Sequence, residues 1–187
     1  LLLGPGMGLE KTTRVFLQGL IKQDLPRTVI DADGLKLLAG IPDWYSILTQ
    51  QAVLTPHPGE MSVLTGLTRE EIQSNRIEVA EKYVRLWGKV LVLKGAYTVI
   101  AEPGGSTAIV PVATPALARA GTGDVLAGLI AGLLAQGVAP FQAACAGAYI
   151  HAEAGLAAEK EQGNSASVLA GDLLGVLPKI LSKYNKQ

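Results

Sequence analysis

Residues 120–135 read Ala-Gly-Thr-Gly-Asp-Val-Leu-Ala-Gly-Leu-Ile-Ala-Gly-Leu-Leu-Ala, a glycine turn that opens a helix of small and aliphatic residues. Gly121 and Gly123 leave backbone N–H groups bare at the helix N-terminus, a geometry that attracts a phosphate or a developing oxyanion. Asp124 lies in the first helical turn, where its carboxylate can accept the proton of a substrate hydroxyl as a general base. The alternative is that Asp124 only caps the helix. A buried apolar helix whose polar end faces a cleft favours the catalytic role.

The rest of the chain alternates between short apolar runs and helical patterns. Such alternation is typical of an α/β fold in which helices cover both faces of a parallel sheet. The predicted strands are residues 1–4, 28–30, 52–54 and 90–93, followed by a hairpin of 97–101 and 107–110. The predicted helices are residues 10–22, 34–39, 60–64, 69–87, 124–135, 141–161 and 168–183. Ligands bind at the carboxyl ends of the strands in sheets of this kind.

Composition excludes several classes of protein. The 187 residues carry 16 Lys plus Arg and 16 Asp plus Glu, so the net charge is zero and no basic surface for nucleic acid or anionic membrane is expected. Hydrophobic residues make up 49% and charged residues 17%, which indicates one folded domain over residues 1–187. The single Cys145 excludes an intrachain disulfide, so a cytoplasmic location is expected.

One stretch is apolar enough to consider a membrane span. Residues 125–150 contain no charge and are long enough to cross a bilayer. Gln136, Gly137 and Pro140 interrupt the run, however, and favour two buried helices instead.

Two glycine- or acid-containing motifs follow the first predicted strands. Gly4-Pro-Gly6-Met-Gly8 can let a ligand approach the backbone, although its spacing fits neither the dinucleotide fingerprint nor Walker A. A tight turn without a ligand explains it equally well. In Asp31-Ala-Asp33, Asp33 either caps the next helix or binds a ligand. Asp31 follows the glycine turn by roughly 25 residues, as a ribose-binding acid would, but the failed glycine spacing argues against that role.

Two more motifs follow the later strands. Two prolines bracket His57 within residues 55–61, which stiffens the loop and fixes the directions of His57 and Glu60. A proline-rich turn with Glu60 stabilising a helix N-terminus is the alternative. Lys94 ends an apolar strand and is placed to meet a phosphate, unless it is a surface lysine at the hairpin. His57 and His151 lie too far apart in sequence for a metal-ligand spacing, so no protein metal site is expected and His151 is interpreted as a core or groove residue.

Taken in order, these motifs resemble the ribokinase-like superfamily and, within it, the ADP/ATP-dependent NAD(P)H-hydrate dehydratases, the carboxyl-terminal domain of YjeF-type proteins. The His-Pro-Gly-Glu-Met loop is the motif that distinguishes the dehydratases from the sugar and vitamin kinases, because Gly-x-Gly-Asp occurs in both. The resemblance implies a three-layer sandwich with a mostly parallel central sheet and helices on both faces. The matching pieces are Gly4-Pro-Gly6-Met-Gly8, Asp31-Ala-Asp33, Thr55-Pro-His-Pro-Gly-Glu-Met61, Lys94-Gly-Ala-Tyr-Thr98, Gly121-Thr-Gly-Asp-Val-Leu-Ala-Gly128 and Ala170-Gly-Asp172 with Leu177-Pro178.

The resemblance also implies a hydro-lyase that repairs a cofactor. Members return the S-form of hydrated NADH or NADPH to NADH or NADPH, coupled to ADP or ATP hydrolysis with Mg²⁺, and Asp124 would be the catalytic base. The implied nucleotide contacts are Lys94, Gly95, Ala96, Tyr97, Thr98, Thr114, Pro115, Ala116, Gly121, Thr122 and Gly123. The implied substrate contacts are Gly6, His57, Pro58, Gly59, Glu60, Met61 and Asp124.

Several expectations follow from how this chain compares with the family. Members commonly form tetramers, so a homo-oligomer is expected. Many carry Asn-Pro where this chain has Thr114-Pro115, which makes nucleotide contacts there less certain. Because Leu1–Gly4 looks like the second half of a strand, the chain is expected to lack the N-terminal part of the family domain. The alternative functions are a small-molecule kinase for a hydroxymethylpyrimidine or thiazole, and an inactive nucleotide-binding fragment.

Overall fold

The computed structural model describes residues 1–184, and its centre is one six-stranded sheet in the order β1 to β6. Strands β1 to β4 pair in parallel, with Ile30 opposite Leu54, and Leu54 opposite Leu91. Strand β5 pairs antiparallel with β4, with Leu93 opposite Val99. Strand β6 pairs antiparallel with β5, so the last two strands form a hairpin. The predicted mostly parallel sheet and the predicted hairpin are therefore confirmed. The strands are β1 (Leu2–Leu3), β2 (Thr28–Ile30), β3 (Ala52–Leu54), β4 (Val90–Leu93), β5 (Val99–Ala101) and β6 (Thr107–Ile109).

Most helices follow the strands as the sequence pattern predicts, with shifts of a few residues at their ends, but the short helix at Trp44–Ile47 was not predicted. Short 3₁₀ turns at Pro115–Leu117 and Ser165–Ser167 precede the last long helices. The α-helices of the described residues are α1 (Lys11–Leu20), α2 (Ala32–Ala39), α3 (Trp44–Ile47), α4 (Pro58–Thr65), α5 (Arg69–Ser74), α6 (Arg76–Trp87), α7 (Thr122–Ala135), α8 (Pro140–Gln162) and α9 (Ala170–Ser182).

The sheet is buried on both faces, which gives the three layers. Alternate strand residues point to opposite sides. On one side Ile30, Leu54 and Leu91 pack with α1 to α6. On the other side Val53 and Val92 pack with α7 and α8. Helix α9 lies outside this layer and packs on α8 through a third apolar cluster.

The single helix predicted over residues 69–87 is wrong, because the structure divides it at Asn75. The backbone of Asn75 has φ −135° and ψ 45°, outside the helical region, so α5 ends there and α6 begins. The break turns Arg76 towards the sheet, where its guanidinium donates to the Leu93 carbonyl at 2.7 Å. A tertiary contact at the end of β4 therefore accompanies the interruption of a helical sequence pattern.

The charge-free run of residues 125–150 belongs to two helices, α7 and α8, that pack against each other and the sheet. Within residues 1–184, the helices are all too short or too polar to span a membrane.

Candidate active site

The carboxyl ends of β2 to β4 and the N-terminus of α7 enclose a cavity of about 390 Å³, here called the anion cavity. The polar residues predicted to follow the strands thus meet the glycine turn at one edge of the sheet. The residues used below that line it are Asp31, His57, Glu60, Lys94, Gly95, Thr98, Arg119, Gly121, Thr122, Gly123, Asp124 and His151.

A second cavity of about 370 Å³, here called the apolar cavity, adjoins the first. Both volumes fall in the range of small-molecule sites. The hairpin end and the loop before α7 form its walls, and His151 belongs to the linings of both cavities. Residues that line the apolar cavity include Gly95, Ala96, Thr98, Val110, Val112, Thr114, Pro115, Leu117, Leu126, Ala148 and His151.

The ammonium of Lys94 bridges two buried carboxylates in the anion cavity. Nζ lies 2.7 Å from Asp31 Oδ1 and 3.6 Å from Glu60 Oε2, and the Lys94 side chain is only 16% exposed. The interpretation of Lys94 as a surface lysine is therefore wrong. The second oxygen of Asp31, Oδ2, is buried without a hydrogen-bond partner among the described residues. A buried polar atom without a partner costs free energy, which marks Oδ2 as a candidate ligand-binding atom.

His57 caps helix α4 with its side chain. Its Nδ1 accepts hydrogen bonds from the N–H groups of Gly59 at 2.9 Å and Glu60 at 3.1 Å, and Glu60 Oε2 accepts from the His57 N–H at 2.8 Å. Since Nδ1 accepts, Nε2 carries the ring proton, and it lies 3.4 Å from Glu60 Oε1. Burial lowers the pKa of His57; Glu60 opposes this and Lys94 adds to it. The stiff loop predicted here is thus held by a reciprocal cap.

The amides at the start of α7 are bare, as the glycine turn predicts. Neither the Gly121 N–H nor the Gly123 N–H donates to any protein group within residues 1–184. A side chain at Gly123 would bring its Cβ to 3.3 Å from Lys94 Nζ, so glycine allows the lysine to approach the turn. The carboxylate of Asp124 is exposed at this point, with no hydrogen bond or ion pair to another described residue. Asp124 is therefore available to a ligand and does not cap the helix, whose N-cap is Gly121.

The turn after β1 packs against the end of β2. A Cβ on Gly4, whose φ is +126°, would lie 1.8 Å from the Asp31 carbonyl oxygen, so only glycine fits. The N–H of Gly8 donates to Asp33 Oδ2 at 3.1 Å. Asp33 therefore holds the turn in place, whereas the N-cap of α2 is Asp31.

Several implied contact residues do not line either cavity. Met61 and Ala116 have no exposed surface and belong to the core, and Tyr97 is 58% exposed with φ +54°. Gly6, Pro58 and Gly59 also lie outside both linings.

Thr114 lines the apolar cavity, but its hydroxyl already makes hydrogen bonds within the protein. It donates to the Glu159 carboxylate and accepts from the Ala116 N–H. The Thr122 hydroxyl is used as well, at 2.7 Å from the Leu117 carbonyl. These threonines shape the loop, and their hydroxyl protons are already donated within the protein.

Three basic or acidic groups were missed or set aside by sequence reasoning. Arg76 lies 17 residues before its acceptor Leu93, and no local pattern signals that bond. Arg119 lines the anion cavity and donates to the Ala166 carbonyl at 2.8 Å; its place two residues before the glycine turn was an available signal. Asp31 was set aside because the dinucleotide spacing failed, although its position directly after a strand was the better guide.

His151 lines both cavities. It is 7% exposed, and its Nε2 is 2.8 Å from the carbonyl oxygen of Thr122. Burial lowers the pKa of His151 to about 4, and the hydrogen bond to Thr122 only partly opposes this. The ring is therefore neutral at physiological pH.

Comparison with models of known protein families shows which family the chain belongs to. The profile described as NAD(P)H-hydrate dehydratase matches residues 1–179. The chain belongs to the NAD(P)H-hydrate dehydratase family. The resemblance carried by the His-Pro-Gly-Glu-Met and Gly-x-Gly-Asp motifs is thereby confirmed.

Curated relatives within this family carry matching names. The chain is 46% identical to the bifunctional NAD(P)H-hydrate repair enzyme Nnr of Moorella thermoacetica, over 100% of this chain and 35% of that enzyme. It is 35% identical to the ADP-dependent (S)-NAD(P)H-hydrate dehydratase of Neisseria meningitidis, over 91% of this chain and 58% of that enzyme. The chain thus spans between one third and three fifths of these two family members.

Solved structures of other proteins share the fold. The ADP/ATP-dependent NAD(P)H-hydrate dehydratase of Bacillus subtilis, co-crystallised with ATP and Mg²⁺ and soaked with CoA, superposes with a TM-score of 0.81 at 29% identity. The match covers 98% of this chain and 66% of that one. A ribokinase-like superfamily protein of Enterococcus faecalis gives a TM-score of 0.81 at 27% identity, over 98% of this chain and 62% of that one. The predicted ribokinase-like α/β fold is confirmed.

Proposed function

We propose that the protein dehydrates the S-form of hydrated NADH or NADPH back to the working cofactor, coupled to hydrolysis of ADP or ATP. One observation carries the proposal: the bare Gly121 and Gly123 amides and the uncommitted Asp124 carboxylate face the same cavity. An anion-binding helix end beside a free base is what phosphoryl transfer to a hydroxyl requires. The hydrate and dehydratase names of the relatives supply the substrate class.

The two adjoining cavities suggest where each part of the nucleotide lies. Aliphatic side chains such as Val110 and Val112 make the apolar cavity suitable for a flat base. The amides of Gly121 and Gly123 suit the phosphates. A nucleotide laid this way contacts Gly95 and Thr98, which line both cavities. Hydrated NADH or NADPH would enter on the other side, near His57, Glu60 and Asp124.

The reaction proceeds in two balanced steps. Asp124 takes the proton of the ring hydroxyl while that oxygen attacks the terminal phosphoryl group; the new P–O bond forms as the bond to the departing nucleotide breaks. Phosphate is a far better leaving group than hydroxide, so the electron pair of the ring nitrogen then expels it by breaking the C–O bond. The adjacent ring carbon gives up a proton to water, and its C–H electron pair forms the C=C bond of the reduced nicotinamide. With ADP the products are the repaired cofactor, AMP and phosphate. The glycine amides stabilise the charge that develops on the transferred group.

Mg²⁺ fits the carboxylates at this edge of the sheet. Asp31 Oδ2 is a buried carboxylate oxygen without a partner within residues 1–184, and hard oxygen ligands are those that Mg²⁺ prefers. The described residues contain no cluster of three metal-ligating side chains, which suits an ion held mainly by the nucleotide phosphates. A Mg²⁺ ion held near Asp31 would supply positive charge that neutralises the phosphates.

The test is direct conversion. Purified protein is incubated with hydrated NADH, ADP and Mg²⁺, and the absorbance of reduced nicotinamide is followed together with phosphate release. We expect equal amounts of cofactor and phosphate. A stable phosphorylated product from a hydroxymethylpyrimidine or thiazole would overturn the proposal in favour of a kinase. Nucleotide binding without turnover, in this chain and in a longer form of the protein, would point to an inactive binding domain.

Assembly and location complete the proposal. We propose a homo-oligomer, in the form of a tetramer, in the cytoplasm. A groove of about 500 Å³ between α7 and α9 supports an interface, since Leu174 and Leu181 on its wall are 56% and 40% exposed. Sedimentation equilibrium measures the assembly directly.

A further inference from the structure

His151 is shared by the linings of the apolar cavity and the anion cavity and has no role in the proposed reaction. It projects from α8, is 7% exposed and lines both cavities. A nearly buried polar ring at such a boundary normally has partners for both of its nitrogens.

One nitrogen has its partner in the protein. Nε2 lies 2.8 Å from the Thr122 carbonyl oxygen, and a carbonyl oxygen can only accept. Nε2 must therefore carry a proton. Because burial keeps the ring neutral, with a pKa of about 4, the ring has only this one N–H. The Thr122 carbonyl thus fixes the tautomer.

The other nitrogen is left as an acceptor without a protein partner. No group within residues 1–184 donates to Nδ1, and this atom is not sealed in the interior. The donor that completes the ring must come from whatever occupies the cavities. A hydroxyl or amine of a ligand fits, whereas another acceptor would be repelled.

The order of groups in a nucleotide identifies that donor. The ribose joins the base to the phosphates, so a nucleotide with its base in the apolar cavity and its phosphates at Gly121 and Gly123 places its ribose at the shared wall. We propose that His151 Nδ1 accepts a hydrogen bond from a ribose hydroxyl of the bound nucleotide. This inference rests on the proposed nucleotide site and adds the residue that recognises its sugar.

Calorimetric titration with ADP, 2′-deoxy-ADP and 3′-deoxy-ADP tests the contact without requiring turnover. Wild-type protein should bind ADP about 3- to 10-fold more tightly than at least one of the deoxy analogues, the range of one net hydrogen bond. In His151→Gln the amide nitrogen reaches the position of Nε2 and keeps the bond to Thr122, but no acceptor replaces Nδ1. The variant should therefore bind ADP and that analogue with nearly equal affinity.

The outcomes separate this inference from the proposed function. Failure of the wild type to bind ADP contradicts the nucleotide site itself. Tight ADP binding with no discrimination, or discrimination that persists in His151→Gln, overturns the ribose contact alone.

Imidazole ¹⁵N spectra of the wild-type protein keep the test decisive even if the variant fails to fold. The chain has two histidines, so His57→Gln assigns the signals. Free protein should show His151 in the Nε2–H form, and ADP should shift Nδ1 while the discriminated deoxy analogue should not. An Nδ1 signal that ADP leaves unmoved contradicts the proposal.

Discussion

The ammonium of Lys94 and the carboxylate of Asp31, 63 residues apart in sequence, meet at 2.7 Å at the edge of the sheet. The pair connects the end of β4 to the end of β2, and Asp31 is 1% exposed. Asp31 thus depends on Lys94 for its counter-charge, and the strand ends that form the site are also joined electrostatically.

Removal of Lys94 should destabilise the fold. Lys94→Gln leaves the Asp31 carboxylate buried without its cation, and breaking a buried pair in this way costs about 3–5 kcal/mol. Lys36→Gln is the matched control, because Lys36 pairs with Asp33 at 3.2 Å on a more exposed surface and should cost less than about 1 kcal/mol. Urea unfolding measures both. Similar losses for the two variants would contradict the buried character of the Lys94 pair.

Asp124→Asn should abolish turnover and leave folding and ADP binding nearly unchanged. The amide cannot take the hydroxyl proton, yet Asp124 is exposed and bonds to no other described residue. Asp172→Asn is the control, since Asp172 lies in the first turn of α9 and, among the residues that the structure describes, accepts only from the Leu169 N–H. Wild-type rates in Asp124→Asn, measured by recovered nicotinamide absorbance, would refute the general-base role.

Gly4→Ala should prevent normal folding. The new Cβ would lie 1.8 Å from the backbone oxygen of Asp31, which cannot move without displacing β2. Gly6→Ala is the comparison: φ is +68° there, but nothing lies within 4 Å, so only backbone strain of about 1 kcal/mol is expected. Thermal unfolding and circular dichroism distinguish the two. A Gly4→Ala protein as stable as Gly6→Ala would mean that the turn does not pack on β2.

Stability should fall as the pH is lowered from about 6.5 to about 4, in part because of His151. Burial lowers its pKa in the folded protein to about 4, below the ordinary 6.5, so the unfolded chain binds the extra proton in this window. The contribution is fully present above the unfolded pKa and reaches up to about 3 kcal/mol.

His151→Gln should flatten this part of the pH profile, measured by urea unfolding at intervals across the window. The pKa of His57 is also lowered, so it contributes in the same direction and remains in the variant. The difference between the two proteins therefore isolates His151. Parallel profiles would show that His151 titrates normally in the folded state.

Local sequence patterns predicted most of the architecture because the chain obeys simple rules. Apolar runs became buried strands, the turn between 101 and 107 closed a hairpin, and the glycines at 121 and 123 left a bare helix end. The interruption at Asn75 was not predicted, since the helical pattern continues through it and the contact from Arg76 to Leu93 is tertiary.

Local sequence patterns also predicted part of the candidate site. Position after a strand was enough to find Lys94, His57 and Glu60, but not the pairing of Lys94 with Asp31, which depends on the order of strands. Met61 matched a motif and yet is fully buried, because a helix presents only some of its residues to a cavity. The position of His151 beneath Thr122 depends on how α8 packs against α7, which no pattern within either helix specifies.

Helix α7 begins without a side-chain cap. A side-chain cap usually stabilises a helix by about 1 kcal/mol, because it accepts hydrogen bonds from the first N–H groups. In α7, an anion that binds the bare amides would accept these hydrogen bonds instead. Ligand binding at these amides would therefore add to the stability of the fold. A ligand at 100 times its dissociation constant would raise the unfolding free energy by about 2.7 kcal/mol, so the protein's melting temperature should report the occupancy of its own site.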